Sequence, residues 1–241
     1  MNSRISTQPA HEQIRNGVLA RLESWSGFAP LRKLLDRHPA VDCFVAGGVV
    51  RDVLLEVPPL PSDIDLFLGG NQASQLIEDL TMTGTVRRGP FGSPRWIPEK
   101  GVSYADVIPI ESFYNGLWRC EDITDALNQF DFTCNAVALD LRSSAFYDPQ
   151  NGARDACRRR LRAVRFDYPD EPIAPGSDLT RPAVLWFRLL HYASARHLEI
   201  EPLTLRWLRA SRHHFDSEAL FSATFFPFDR HALTVLDEDG E

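Results

Sequence analysis

Cys43-Phe44-Val45-Ala46-Gly47-Gly48-Val49-Val50-Arg51-Asp52-Val53-Leu54-Leu55, followed after a proline-bearing loop by Ser62-Asp63-Ile64-Asp65-Leu66-Phe67-Leu68, decides the fold class. The apolar run 43–46 fits a buried strand. It runs straight into two glycines, and helical spacing resumes from Val49 to Leu55. Prolines between Val57 and Pro61 can neither continue that helix nor donate in a ladder, so the chain must turn there. From Asp63 to Leu68 acidic and apolar residues alternate, the pattern of a strand with two different faces. Residues two apart on a strand point the same way, so Asp63 and Asp65 share a face, about 7 Å apart along the chain. Neighbouring anions repel unless a cation stands between them. Hard oxygen ligands of this kind suit Mg²⁺, which completes its shell with water and substrate phosphates. The Gly47-Gly48 turn permits close backbone approach, and amides opening a helix favour phosphate. Arg51, one turn into that helix, can reach a triphosphate or pair locally with Asp52 and Asp65.

Outward from this stretch, mixed elements surround it. Residues from His11 to Trp25 and from Leu31 to Arg37 carry helical spacing, as do Gln72 to Leu80. Strands are expected at Thr85–Arg88 and Val102–Ile110, separated by a glycine- and proline-rich stretch from Gly89 to Pro98. A hairpin-like pair is expected at Ala136–Leu141 and Ala145–Tyr147. A linker rich in proline and glycine spans Pro169 to Asp178, and helices are expected at Pro182–His197 and Leu203–Arg212. The acidic end, Asp237 to Glu241, reads as a disordered tail. There is no internal repeat and no low-complexity tract.

The bulk numbers bound the function. The 241 residues allow one large domain or two small ones. No apolar run approaches the roughly 18 residues of a membrane span, and the polar N-terminus lacks a signal-peptide core. The four cysteines (Cys43, Cys120, Cys134 and Cys157) show no C-x-x-C pairing, which argues against a zinc site or a disulfide framework. They read as reduced thiols, so a cytoplasmic protein is expected. A net charge of −7 argues against loose binding to long duplexes, but a local basic patch would suffice for an RNA end. Arg154, Arg158, Arg159, Arg160, Arg162 and Arg165 are the candidate for that patch. A solvated face balanced by Asp155 and Asp167 explains them equally well.

The stretch Val45 to Leu66 resembles the signature of the class II nucleotidyltransferase superfamily, which holds the tRNA CCA-adding enzymes and bacterial poly(A) polymerases. Its pattern is a strand, then G-G-x-x-R-D-x-L-L, a loop and D-x-D. Downstream, Asp131-Phe132-Thr133-Cys134-Asn135-Ala136-Val137-Ala138 is similar to the family's R-R-D-F-T-x-N-A-x-A motif. Asp148-Pro149, Gly152, Asp155 and Leu161-Arg162-Ala163-Val164 follow in the family's order. The likeness covers residues 30–166 well and 181–200 loosely.

The resemblance implies an α/β (α+β) nucleotidyltransferase head with a central mixed sheet flanked by helices, over residues 1–168. A short helical C-terminal region, residues 179–241, would follow. It implies an Mg²⁺-dependent transfer of a nucleoside monophosphate from a nucleoside triphosphate to a hydroxyl, such as an RNA 3′ end of the tRNA kind. Gly47, Gly48 and Arg51 would contact the triphosphate, while Asp63 and Asp65 would bind metal. Asp106, in the strand Tyr104-Ala105-Asp106-Val107-Ile108, would be the third carboxylate and would help to activate the attacking hydroxyl. Asp131 would approach the ribose, Asn135 would hold the nucleotide loop, and Arg188 would carry over from a helix resembling L-R-A-x-R-F-A.

Three departures qualify this. Gln129-Phe130 stands where the family has paired arginines, and His191 stands where the helix has its second arginine. No E-D-x-x-R base-reading motif follows Ile200, so CCA addition as such is not implied. Two other readings stay open: transfer to a small-molecule or protein hydroxyl, and a nucleotide-binding regulatory module without turnover.

Overall fold

The computed structural model describes residues 11–58, 63–101 and 103–237. Residues 1–10, 59–62, 102 and 238–241 lie outside the described residues, and with them part of the expected proline-bearing loop and most of the expected acidic tail.

Two amphipathic helices open the chain, α1 (His11–Glu23) and α2 (Phe28–Arg37). Then come β1 (Asp42–Ala46), α3 (Gly48–Leu54), β2 (Ile64–Gly69) and α4 (Ala73–Asp79). Three strands follow: β3 (Gly84–Arg88), β4 (Pro94–Pro98) and β5 (Ala105–Pro109). A short α5 (Ile123–Leu127) leads to β6 (Ala138–Asp140), β7 (Phe146–Tyr147), α6 (Gly152–Cys157) and β8 (Arg160–Leu161). The remainder is α7 (Arg181–Ala195), β9 (Glu199–Ile200), α8 (Pro202–Ala210), α9 (Glu218–Thr224) and α10 (Thr234–Asp237).

Seven strands form one mixed sheet in the order β3-β4-β5-β2-β1-β6-β7. Among the described residues only β2 and β5 run parallel in it; the other neighbours are antiparallel. The pleat sorts the sheet's residues into two faces. Cys43, Val45, Ile64, Leu66, Leu68, Ala105 and Val107 join Ile14, Leu22, Leu31, Leu34, Val50 and Leu76 of the helices in the main core. Phe44, Ala46, Phe67 and Ala138 point the other way and meet Ile123, Ala126 and Leu127 in a smaller cluster. Asp65 and Asp106 belong to this second, more thinly covered face. The main core continues into the C-terminal helices through Leu185, Trp186, Phe187, Leu208 and Phe221, and the buried Trp186 indole donates to the Leu208 carbonyl at 2.9 Å.

Two expectations need correction. The stretch Gly89–Pro98 is not all loop, because its second half is β4, hydrogen-bonded between β3 and β5. Its prolines stand at the first and last positions of the strand, where a missing N–H is tolerated. Between them, fully buried Trp96 packs edge-on to Trp25, ring centres 5.5 Å apart. Asp237, expected in the disordered tail, lies in α10 and pairs with Arg212. No helix among the described residues is long and apolar enough to cross a membrane.

Candidate active site

The parallel register sets Asp65 of β2 directly beside Asp106 of β5, on the same face. Asp63 precedes β2 by one residue, exposed, and accepts a hydrogen bond from the Tyr104 hydroxyl. Burial, together with the charges of Asp106 and Asp63, pushes the Asp65 carboxyl up to about 7. Asp106 is held by Arg95 in a two-pronged bond, 2.7 Å from Nε and 2.9 Å from a terminal nitrogen. Arg95 also lies over the Tyr104 ring, 3.7 Å from its centre. Neither Arg95 nor Tyr104 was expected at the site, since their cross-strand pairing with the carboxylates depends on a strand that the prolines disguise.

Gly47 joins β1 to α3 with a φ of +64°, a backbone conformation that suits glycine. A Cβ there would stand 3.1 Å from the Asp65 carboxylate. At Gly48 the space in front of the backbone opens instead toward the Arg51 guanidinium. Gly47→Ala should therefore cost about 1–2 kcal/mol of stability from the left-handed backbone alone. It should also depress nucleotide affinity; urea denaturation and calorimetric titration check the two effects separately.

Four of the remaining expected residues form one polar network. Arg51 donates to Asp52 at 2.8 Å and to the Asn135 side-chain oxygen at 3.2 Å. Asn135 donates in turn to Asp131 at 3.0 Å, and Arg188 of α7 donates to the other Asp131 oxygen at 2.6 Å. Both guanidinium groups lie against the Tyr192 ring. Burial alone would lower the Arg188 pKa, but the Asp131 charge and hydrogen bond outweigh it and hold the cation above its ordinary value. Arg51 is thus tied into the fold and borders the glycine turn at the same time. His191 packs on Phe226 with ring centres 4.1 Å apart. Burial, helped by the Arg188 and Arg196 charges, pushes it down to about 4, so it is a neutral packing ring near pH 7.

A cavity of about 410 Å³ runs from Asp65 and Asp106 past Asp131, Asn135 and Arg188 to Tyr168 and Arg181. Its wall carries the mutually packed rings Phe67, Phe113 and Phe130, with centres 5.3–6.0 Å apart. Gln129 also borders it but is fully buried and fully engaged. Its carbonyl accepts from the Asn115 amide at 3.2 Å, and its amide donates to the Trp118 carbonyl at 2.8 Å and to the Cys120 sulfur at 3.1 Å. Where the family has an arginine, this chain has a strut for the 115–120 loop next to an aromatic wall.

The donor chemistry fits a hard cation in kind. The cavity lining offers carboxylate oxygens and neither thiol nor imidazole, and the raised Asp65 pKa is a load that a cation would relieve. As they stand, Asp63 and Asp106 are engaged by Tyr104 and Arg95. No three His, Cys, Asp or Glu side chains among the described residues are gathered closely enough to hold a metal ion. Half of the arginine cluster is engaged within the fold, while Arg154 and Arg158 are exposed. Arg162 pairs with Asp155 at 2.9 Å, Arg165 with Asp167 at 2.6 Å, and Arg159 donates to the Leu55 and Arg196 carbonyls.

No family model matches the chain. It is 30% identical over 138 residues to the multifunctional CCA protein of Xanthomonas euvesicatoria pv. vesicatoria, covering 54% of this chain and 32% of that protein. It is 32% identical over 146 residues to the CC-adding tRNA nucleotidyltransferase of Geobacter sulfurreducens, covering 56% of this chain and 30% of that one. The matched stretch thus spans about a third of the length of these curated relatives. A CCA-adding enzyme solved in complex with CTP superposes with a TM-score of 0.65 at 20% identity, covering 95% of this chain and 50% of the other. The Thermotoga maritima CCA-adding enzyme complexed with tRNA gives 0.63 at 20%, covering 93% and 51%. At such identity the structural likeness is one of fold. In motif order, matched stretch and fold the chain is similar to the head domain of these tRNA nucleotidyltransferases.

Proposed function

We propose that the chain transfers a nucleoside monophosphate from a nucleoside triphosphate to the hydroxyl of an RNA 3′ end of the tRNA kind, releasing pyrophosphate. The observation that carries this reading is the register pair Asp65–Asp106 at one end of a nucleotide-sized cavity whose wall is aromatic. The relatives named for tRNA nucleotidyltransfer support the acceptor class.

The chain's own groups divide the work. Asp63, Asp65 and Asp106 would hold Mg²⁺, which supplies a lowered hydroxyl pKa and charge neutralisation on the leaving pyrophosphate when bound. Gly47 and Gly48 leave the backbone bare where a triphosphate approaches, and Arg51 lends positive charge there. Asp131, oriented by Arg188 and Asn135, presents a carboxylate to a ribose hydroxyl. Phe67, Phe113 and Phe130 offer apolar surface to the base. Phosphoryl transfer needs mainly positioning and charge stabilisation, and this set can provide both.

The test is incubation with Mg²⁺, each α-labelled nucleoside triphosphate in turn and total RNA, beside an Asp63→Ala/Asp65→Ala double variant. Label entering RNA with the wild type alone supports the reading and names the nucleotide. Pyrophosphate release without labelled RNA moves the acceptor to a small molecule or protein hydroxyl. Nucleotide binding without pyrophosphate release would leave only a binding module, against which the uncompensated Asp65 carboxyl argues.

A further inference from the structure

The hairpin joining β3 to β4 reaches the mouth of the cavity and is chemically unlike the rest of the chain. Between Gly84 and Pro98 it carries Arg87, Arg88 and Arg95 and no acidic residue, in a protein of net charge −7. Arg95 is committed to Asp106. Arg87 and Arg88 are exposed, and their side chains hold no ion pair or hydrogen bond among the described residues.

The tip is a tight turn closed by the Gly89 amide on the Ser93 carbonyl at 2.8 Å, with Gly92 at φ +95°. It presses close to the chemistry, since a Cβ on Gly89 would lie 3.5 Å from an Asp106 carboxylate oxygen. At its apex stands Phe91, 52% exposed, which is a large apolar surface to leave in water. One face of its ring is stacked on Phe225, which follows α9, with centres 5.4 Å apart and planes 23° apart. Both rings line the cavity.

Exposed cations beside an open aromatic ring are the combination that grips single-stranded nucleic acid: arginines track phosphates and bases stack on rings. We propose that this hairpin tip is the acceptor-side grip. Phe91 extends the Phe225 stack with the terminal base of a single-stranded RNA 3′ end, and Arg88, whose guanidinium lies against Gly92 of the tip, contacts the adjoining phosphate. The 3′ hydroxyl then arrives beside Asp106 and Asp65. The inference rests on the transfer reading and adds what that reading lacks, a site on this chain for the acceptor. A small-molecule or protein acceptor has no use for the ring and the cation together.

The test is fluorescence anisotropy with a short 5′-labelled single-stranded RNA carrying a free 3′ hydroxyl, beside calorimetric titration with each nucleoside triphosphate. Phe91→Ala should weaken RNA binding about ten-fold, within the range for removal of one base–ring stack. Phe91→Trp should retain binding and Phe91→Leu should not, because the ring and not bulk is required. Arg88→Ala should reduce the slope of log affinity against log salt by about 0.7, the value for one single-strand phosphate that the protein no longer neutralises. Three results overturn the inference: wild type that binds nucleotide but no RNA, equal affinity for blunt duplex RNA, or Phe91→Ala losing nucleotide affinity as much as RNA affinity. In the first case the transfer reading survives with a different acceptor. RNA binding without any nucleotide binding has the opposite meaning: the grip stands and the transfer reading falls.

Discussion

In the Asp65→Asn variant the melting temperature should rise and its decline with pH should disappear, while the proposed nucleotide transfer should be abolished. The stability part follows from the site's electrostatics. The Asp65 carboxyl is raised from 3.8 to about 7, first by burial and then by the Asp106 charge. The folded protein therefore keeps a proton that the unfolded chain gives up near pH 4. Stability is fullest below the unfolded value and drains away as pH rises through the window from about 4 to about 7. The slope is at most ~1.4 kcal/mol per pH unit. Asparagine keeps the shape and removes the charge, so the variant should lose this dependence. Differential scanning calorimetry from pH 4 to 8 in chelator reads it directly. Mg²⁺ added at pH 7.5 should then stabilise the wild type and leave the variant unmoved. A wild-type profile flat in this window, or one insensitive to Mg²⁺, would remove Asp65 from the cation site.

Much of this fold is written in local pattern. The alternation in Asp63 to Leu68 announces a two-faced strand, and the abrupt passage from Val45-Ala46 through two glycines into Val49-Val50 announces the strand–turn–helix unit. Both appear within a residue or two of where the spacing puts them. The hidden elements are those whose stabilisation is non-local. β4 carries prolines at both ends and is a strand because Trp96 is buried on Trp25. That partner lies about 70 residues upstream, a separation at which loop closure opposes any local signal. The pair β8–β9 is too short for periodicity to register, whereas the antiparallel pair β6–β7 falls inside the two segments where a hairpin was expected.

For the site, the sequence offered a set of candidate residues and no set of partnerships. Asp65, Asp106, Asp131, Asn135 and Arg188 line one cavity and Asp63 sits on Tyr104, but what each side chain holds depends on which elements pack beside it. Arg95 reaches Asp106 because β4 and β5 pair antiparallel at those two positions. Nothing in the sequence near Asp106 specifies that. Gln129 illustrates the opposite case. It is visible as a departure from the family pattern, but its role as a buried strut emerges only from the three groups that saturate its amide.

The Asp131–Arg188 pair yields the second large effect, and its sign depends on which partners are removed. Arg188→Met should destabilise the fold by about 3–5 kcal/mol, because it strands a carboxylate whose side chain is only 12% exposed. For a chain of this size that is a fall in melting temperature of roughly 10 °C, at about 2–4 °C per kcal/mol. Asp131→Asn should cost less, since the amide can still accept from Asn135 or Arg188. The double variant should recover most of the stability that Arg188→Met removes, as replacing both members of a buried pair is often close to neutral. A thermodynamic cycle over the four proteins measures this coupling, and effects additive within about 0.5 kcal/mol would show that the two side chains are independent. Nucleotide affinity should stay low in the double variant even as stability returns. In the proposed reading the pair holds the Asp131 carboxylate where a ribose would meet it, and an asparagine amide relieves the stranded charge without restoring that anionic acceptor.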